Sequence, residues 1–451
     1  MKLGKAKFRL STRLSSGQIL TLGFAALILL GALLLMLPIS SNPGAEAVTF
    51  DKALFTSTSA TCVTGLIVYD TYTQFSHFGQ AVILLLIQIG GLGFMTVGLL
   101  FSLILRKKVG LRQRTILMDS VSTTRIGSVV ELCRHALIGT AIIESAGALL
   151  LAIRFVPRYG AEGIWFAVFH SVSAFCNAGF DLMGKDAPFS SLAAFSSDPL
   201  VMITVMLLIL IGGIGFLVWV DFTEKKFRFS RYSLQSKITL LFSAFLILLP
   251  AAAYFFTESG AAFRDMGTGE KILASFFSAV TPRTAGFGAA DFASYSDGGT
   301  LMTVFLMFIG GGVGSTAGGL KITTFAVLTL TLLASIRGES TVSIFGRRLE
   351  DGAPRQALSS LGAYMSISLG GIFVVCLCGA PFKEAFFECV SAVSTVGLSM
   401  GMTPSLPLIA HIALILMMFS GRVGTISVAM ALSEKPSSSS LKYPTEKVTI
   451  G

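Results

Sequence analysis

Four short apolar segments constrain the fold of this chain more than any other feature. They lie near residues 50–62, 163–176, 272–280 and 382–393, and each ends at a small polar turn that contains a glycine. A helix needs about 20 apolar residues to cross the hydrocarbon core of a bilayer, so none of the four can span it. We therefore predict four re-entrant half-helices that enter a membrane and leave it on the same side.

The turns that follow these segments resemble one another and are evenly spaced. Their glycines, at 65, 179, 286 and 397, lie 114, 107 and 111 residues apart. One such turn would be an ordinary loop, but four at nearly equal spacing predict a fourfold internal repeat. The predicted turn residues are Val63, Thr64, Gly65, Asn177, Ala178, Gly179, Thr284, Ala285, Gly286, Thr395, Val396 and Gly397.

The composition indicates a polytopic membrane protein. Hydrophobic residues make up 53% of the chain and charged residues 13%, whereas soluble domains carry roughly 25% charged residues. The net charge of +10 indicates basic cytoplasmic loops rather than a nucleic-acid-binding surface. The first apolar segment, 19–37, is too long for a signal peptide and lacks a small-residue cleavage site, so we expect it to remain as a spanning helix.

Each short segment lies between two long apolar segments, which gives the fold class. We predict an all-α integral membrane protein with four helix–pore-loop–helix repeats in a pseudo-fourfold arrangement around one pore. The eight predicted transmembrane helices lie near 18–38, 79–105, 129–155, 200–220, 238–256, 301–333, 357–379 and 407–432. The predicted units are a cytoplasmic tail at 1–17, repeats at 18–108, 109–228, 229–337 and 338–432, and a cytoplasmic tail at 433–451.

The distribution of basic residues predicts the orientation. In this topology 24 Lys and Arg residues fall in the two tails and the linkers between repeats, against seven on the opposite side. Cytoplasmic loops are enriched in Lys and Arg, so both termini are expected in the cytoplasm. Treating any half-helix as a full crossing would move later basic linkers to the wrong side.

Four half-helices around one axis predict a pore for a monovalent cation. Non-helical backbone is tolerated at membrane depth only where it is buried in protein or lines a water-filled cavity. Rings of backbone carbonyls can replace the hydration shell of potassium, and glycine allows the backbone to turn them inward. The C-terminal end of each half-helix also directs its negative dipole toward the cation.

A glycine-rich run at 309–321 predicts a gate below these turns. Each glycine lowers helix stability by about 1 kcal/mol relative to alanine, so the run should break its span near the bilayer centre as a movable plug. The shorter Gly-x-Gly runs near 90–93 and 212–215 favour close helix packing instead. The predicted gate residues are Gly310, Gly311, Gly312, Gly314, Ser315, Thr316, Gly318, Gly319, Lys321 and Arg422.

Two arginines in apolar surroundings have more than one interpretation. Arg422 lies within an apolar helix, where a charge is a functional hypothesis by default. It could limit cation occupancy at the pore wall, or it could be a structural partner of a buried carbonyl or carboxylate. Arg283, next to Thr284, is predicted to brace its loop from behind.

Catalysis on covalent bonds is not indicated. The six cysteines lack metal-ligand spacing and the four histidines are scattered along the chain, so neither a metal site nor a catalytic triad is indicated. A membrane-embedded enzyme would need a polar acid–base cluster at one depth, and the sequence offers none. We therefore expect a protein that is not an enzyme and has no cofactor of its own.

Three motifs together resemble the Trk/Ktr/HKT superfamily of potassium transporters, and the chain length is similar to KtrB-type membrane subunits. The motifs are 281–287 (Thr-Pro-Arg-Thr-Ala-Gly-Phe), 309–321 and 421–424 (Gly-Arg-Val-Gly). The resemblance implies filter roles for the four turn glycines, a gating loop at 310–321 and a position below the filter for Arg422. It also implies a homodimer on a cytoplasmic octameric ring of KtrA-like, RCK-type regulatory subunits that bind nucleotide (ATP or ADP), with residues 442–451 at the dimer interface.

The expected function is potassium uptake across the cytoplasmic membrane, with a non-selective sodium and potassium pathway as the alternative. None of the four turns continues with the Tyr-Gly of potassium channels; the residues that follow the glycines are Leu66, Phe180, Phe287 and Leu398. A simpler filter with fewer ordered carbonyl rings follows from this difference. Channel or coupled transport, and stimulation by sodium, both remain open at this point.

Overall fold

A computed structural model of the protein describes residues 16–93 and 129–424. Several expectations lie outside the described residues: most of the N-terminal tail, the end of the second span with its basic residues 106–108, the end of the last span and the C-terminal tail at 433–451. Within the described residues the two β-strands form one hairpin, in which β1 (Ser343–Ile344) pairs antiparallel with β2 (Arg347–Arg348), and the other regular elements are helices.

Each repeat begins in the predicted order, with a long helix followed by a short one. Those of the first repeat are α1 (Ser16–Leu35), α2 (Phe50–Cys62), α3 (Thr71–Gln74) and α4 (His77–Leu92). Those of the second are α5 (Val129–Tyr159), α6 (Glu162–Phe175), α7 (Pro199–Gly213) and α8 (Phe216–Lys225). Those of the third are α9 (Leu234–Glu258), α10 (Thr268–Val280), α11 (Asp297–Phe308) and α12 (Ile322–Ile336). Those of the fourth are α13 (Ala353–Leu377), α14 (Phe382–Val393) and α15 (Leu408–Val423).

The first helix of each repeat is long and apolar enough to cross a membrane. These helices are α1, α5, α9 and α13, with lengths of 19 to 27 residues over their apolar parts. Large apolar side chains on them face outward; Leu149, for example, is 71% exposed and Phe256 78% exposed. Exposed leucine and phenylalanine on four such helices are typical of a surface that contacts lipid.

The four short helices α2, α6, α10 and α14 coincide with the predicted half-helices and form the core. In α2, nine of the 13 residues are buried, including a run of serine and threonine. Several of their hydroxyls have partners: Thr58 donates to the Leu54 carbonyl at 2.7 Å, and Ser57 donates to the Ile28 carbonyl of α1 at 2.7 Å. These hydrogen bonds offset part of the cost of burying a polar half-helix, although the hydroxyl of Thr61 has no partner among the described residues.

The structure differs from the sequence prediction at the span that follows the half-helix of the second repeat. The span predicted at 200–220 bends by 93° between α7 and α8. Gly215, at φ +97°, makes this bend. The span predicted at 301–333 is interrupted by the glycine-rich run, as expected. The C-cap residues of α4 and α15 are Gly93 and Gly424, both with positive φ, and the rest of the spans predicted at 79–105 and 407–432 lies outside the described residues.

Candidate pore and gate

The four turns after the half-helices share one backbone conformation. In each, the residue two positions before the glycine is left-handed: Val63 (φ 58°), Asn177 (φ 59°), Thr284 (φ 66°) and Thr395 (φ 52°). The four glycines are also left-handed, with φ between +70° and +97°. Left-handed backbone at non-glycine residues is unfavourable and concentrates at functional sites, so its presence in all four repeats indicates a common purpose.

The four glycines meet around one axis. A Cβ added to any of them would collide with the carbonyl oxygen of the residue that precedes the glycine of the next repeat. The pairs are Gly65 with Ala178, Gly179 with Ala285, Gly286 with Val396 and Gly397 with Thr64. The last pair closes the ring. Only glycine allows both the backbone angle and this approach.

A hydroxyl at the end of each half-helix braces the turn that follows it. Ser59 and Ser391 accept hydrogen bonds from the backbone N–H groups of Gly65 (3.1 Å) and Gly397 (3.0 Å). In the other two repeats the hydroxyl donates to the carbonyl after the glycine: Ser173 to Phe180 and Thr281 to Phe287, both at 2.6 Å. The sequence analysis did not identify these residues. The sequence feature that could have identified them is a Ser or Thr five or six positions before each turn glycine.

The lower side of the ring is polar. The hydroxyls of Thr64, Thr284 and Thr395 are buried and have no hydrogen-bond partner within residues 16–93 and 129–424. Asn177, which occupies in the second repeat the position of Thr284 and Thr395, accepts a hydrogen bond from the hydroxyl of Thr316 at 3.1 Å. This bond places the glycine-rich loop directly beside the turns.

The glycine-rich loop leaves the helix at Phe308 and is closed at its base. Gly310 donates to the Leu320 carbonyl at 2.8 Å, and Ile322 donates to the Gly311 carbonyl at 3.0 Å. The polypeptide therefore bulges out of the span and returns to it, and Ile309 pairs with Leu320 in an isolated parallel bridge. Eight residues, 312–319, lie between Gly311 and Leu320.

The break between α7 and α8 receives this loop. Gly312 donates to the Gly213 carbonyl at 2.8 Å, and Phe216 donates to the Gly314 carbonyl at 2.8 Å. These backbone groups are free to bind the loop because the helix is interrupted at Gly215. On the far side, Gly318 packs against the side chain of Thr395, so the loop extends below the ring from the second repeat to the fourth.

Two cations hold the loop through its carbonyl oxygens. Arg422 donates to the carbonyl of Thr316 and also to those of Gly90 (2.5 Å) and Gly91 (2.9 Å) at the end of α4. Lys321 donates to the Ala317 carbonyl at 2.7 Å. Arg422 therefore binds backbone carbonyl oxygens, as expected if it is a structural partner of buried carbonyls. One of these carbonyls, that of Thr316, belongs to the predicted gate.

The remaining predicted features lie close to this centre. Gly90 and Gly91 pack tightly against Thr61 and Cys176, as expected for helix packing. In the second Gly-x-Gly run, Gly212 packs against the Phe175 carbonyl, whereas Gly215 breaks the helix instead of packing within it. One run thus serves both purposes.

Comparisons with known proteins agree on one family. The family model described as "TrkH: Cation transport protein" matches residues 16–443. The potassium/sodium uptake protein NtpJ of Enterococcus hirae is 39% identical, with 99% of each chain covered. The Ktr system potassium uptake protein B of Bacillus subtilis is 40% identical, with 100% of each chain covered. The crystal structure of the potassium transporter TrkH from Vibrio parahaemolyticus has a TM-score of 0.74 at 17% identity, covering 93% of this chain and 86% of that one.

Proposed function

The chain belongs to the TrkH family of cation transport proteins, and from this premise we propose that it carries potassium into the cell through the ring of four glycine turns. The family is one of membrane cation transporters, not of enzymes. In this proposal the filter consists of the turn residues at 63–65, 177–179, 284–286 and 395–397.

The closed ring of turns is the observation that carries this proposal. Four carbonyl oxygens, one from each repeat, lie beside four glycines at a single level. A carbonyl ring of this kind can replace the hydration shell of a dehydrated potassium ion. The hydroxyl braces on each turn hold the carbonyls in place and keep the ring from collapsing when no ion is bound.

The glycine-rich loop is proposed as the gate. It lies below the ring, and its contacts with α7, α8 and Arg422 are hydrogen bonds to backbone groups. The neutral bonds contribute about 0.5–1.5 kcal/mol each and the bond from Arg422 about 1.5–3 kcal/mol, so a displacement of the flanking helices can release the loop. The loop would then control whether an ion that has passed the filter reaches the cytoplasm.

The control is proposed to come from outside this chain. Two relatives are named as protein B of a Ktr system, which supports a partner subunit. We propose a homodimer, with both termini in the cytoplasm, on an octameric ring of RCK-type regulatory subunits. Nucleotide, ATP or ADP, would bind to that ring rather than to this chain.

A second candidate function is uptake of both sodium and potassium. The Enterococcus hirae relative is named as a potassium/sodium uptake protein, and no turn of this chain continues with the Tyr-Gly of potassium channels. Fewer ordered carbonyl rings would discriminate less between the two ions.

Uptake of radioactive rubidium by proteoliposomes containing the full chain tests the proposal. We expect rubidium uptake that potassium inhibits. The rate of uptake should differ between proteoliposomes with and without reconstituted regulatory subunits. Inhibition by sodium at similar concentrations would favour the second candidate. Absence of uptake under both conditions would reject both.

A further inference from the structure

Arg283 is a buried cation whose charge has no counter-charge in the described part of the protein. Its side chain is 4% exposed. Its one side-chain hydrogen bond runs from Nη2 to the hydroxyl of Ser243 on α9, at 3.0 Å, while Nε and Nη1 have no partner among residues 16–93 and 129–424. None of the six ion pairs in that part of the chain includes Arg283.

This guanidinium lies close to the ring. Arg283 directly precedes Thr284, the left-handed residue of the third turn. Its carbonyl oxygen accepts a hydrogen bond from the side chain of Asn177, in the second turn, at 3.4 Å. On α9, one turn before Ser243, Thr239 packs near Gly312 of the gate loop. The charge therefore lies behind the third turn, against the helix α9 that also packs near the gate loop.

A purely structural brace explains little of this arrangement. A single hydrogen bond to a hydroxyl does not require a guanidinium, and burying an unpaired charge is strongly unfavourable. Arg422 differs, because its N–H groups are directed at three carbonyl oxygens. Buried ionisable residues inside membranes are retained where they serve ion pathways.

We propose that Arg283 is an electrostatic determinant of the filter, which lowers its affinity for the permeant cation and so speeds release of the ion toward the gate. The carbonyl ring and four half-helix dipoles attract the ion, and conduction requires that binding remain weak enough for the ion to leave. A positive charge behind the third turn supplies that limit. This inference rests on the proposed function.

The expected size follows from Coulomb's law. A unit charge on the order of 10 Å from the ion, at an effective dielectric constant of about 20, changes affinity by roughly tenfold. Replacing Arg283 by an uncharged residue should therefore lower both the apparent Kd for potassium and the KM for uptake by roughly tenfold, and the maximal rate should fall because release is slower.

Four variants of the full-length chain test this: Arg283→Met and Arg283→Gln remove the charge, Arg283→Lys keeps it, and Ser243→Ala removes only the hydrogen bond. The Kd is read from the rise in Tm with potassium concentration, and the KM from rubidium uptake. We expect lower Kd and KM in the two neutral variants and wild-type values in Arg283→Lys and Ser243→Ala. Methionine of similar volume is often tolerated at a buried charge, so Arg283→Met should fold even if Arg283→Gln does not.

Three results would overturn the inference. The first is an unchanged Kd in a folded neutral variant. The second is an equal shift in Ser243→Ala, which would make Arg283 a brace, and the third is failure of both neutral variants to fold, which would assign it a structural role. Failure of the proposed function is distinguishable, because the wild-type chain itself would then neither take up rubidium nor be stabilised by potassium.

Discussion

Arg422, in the last turn of α15, donates a hydrogen bond to the carbonyl oxygen of Thr316, 106 positions away in another repeat. The same guanidinium binds the carbonyls of Gly90 and Gly91 at the end of α4. One side chain of the fourth repeat therefore ties the gate loop of the third repeat to a helix of the first. We expect this tie to stabilise the closed position of the loop.

Replacing Arg422 by Gln should loosen the gate. Glutamine has a shorter side chain and cannot reach the three carbonyl oxygens at once, so the loop loses its anchor. We predict a severalfold rise in rubidium uptake without regulatory subunits, with the dimer preserved in size-exclusion chromatography. Arg422→Lys, which keeps a single charged donor group, should give an intermediate rate. A wild-type rate in Arg422→Gln would limit Arg422 to a role in folding.

Deleting residues 311–318 should raise uptake more than the Arg422 substitution does. The deletion removes the part of the loop that contacts α7, α8 and Thr395, and it joins Gly310 to Gly319. Combining the deletion with Arg422→Gln should add nothing, because both changes remove the same contact. Uptake at the wild-type rate in the deletion variant would show that the loop does not obstruct the pathway.

Two glycines in the segment between α14 and α15 allow the effect of steric crowding to be distinguished from the effect of backbone strain. Gly397 has φ +92° and lies against the Thr64 carbonyl, whereas Gly401 has φ +89° and open space around it. An alanine at either position costs about 1–2 kcal/mol for left-handed backbone, but only Gly397→Ala also distorts the ring. We predict that Gly397→Ala abolishes rubidium uptake and Gly401→Ala retains it. Equal loss in both variants would count against the ring.

The hydroxyl braces should control selectivity. Ser391→Ala leaves the buried N–H of Gly397 without its partner, a loss of about 1–3 kcal/mol. We predict a lower Tm and weaker discrimination between potassium and sodium in competition uptake. Ser405→Ala is the matched control, because that hydroxyl is exposed and bonds only the nearby Met402 carbonyl. Unchanged ion preference in Ser391→Ala would mean that the turn is held by its backbone alone.

The half-helices could be predicted from the sequence because their limits are set by local signals. The observed bounds Phe50–Cys62 and Phe382–Val393 agree with the predicted segments, since each apolar run ends at a turn whose glycine permits positive φ. The interruption of the span predicted at 301–333 was also predictable, because a segment with so many glycines does not remain helical.

The break at Gly215 could not be predicted with the same certainty. Gly-x-Gly occurs both where helices pack closely and where a helix turns, and here Gly212 does the first and Gly215 the second. The hydrogen-bond partners of the Arg422 and Arg283 side chains could not be predicted from the sequence for another reason. They lie on other helices far along the chain, and apolar periodicity carries no information about which polar groups meet there.

The central claim is that one cation binds within the ring formed by the four turns. Anomalous scattering from crystals of the protein grown in rubidium tests it most directly, since rubidium substitutes for potassium at carbonyl sites. We predict a peak on the axis beside Gly65, Gly179, Gly286 and Gly397, absent in crystals of Gly397→Ala grown in the same salt. Rubidium peaks elsewhere in the protein, with none within the ring, would contradict the claim.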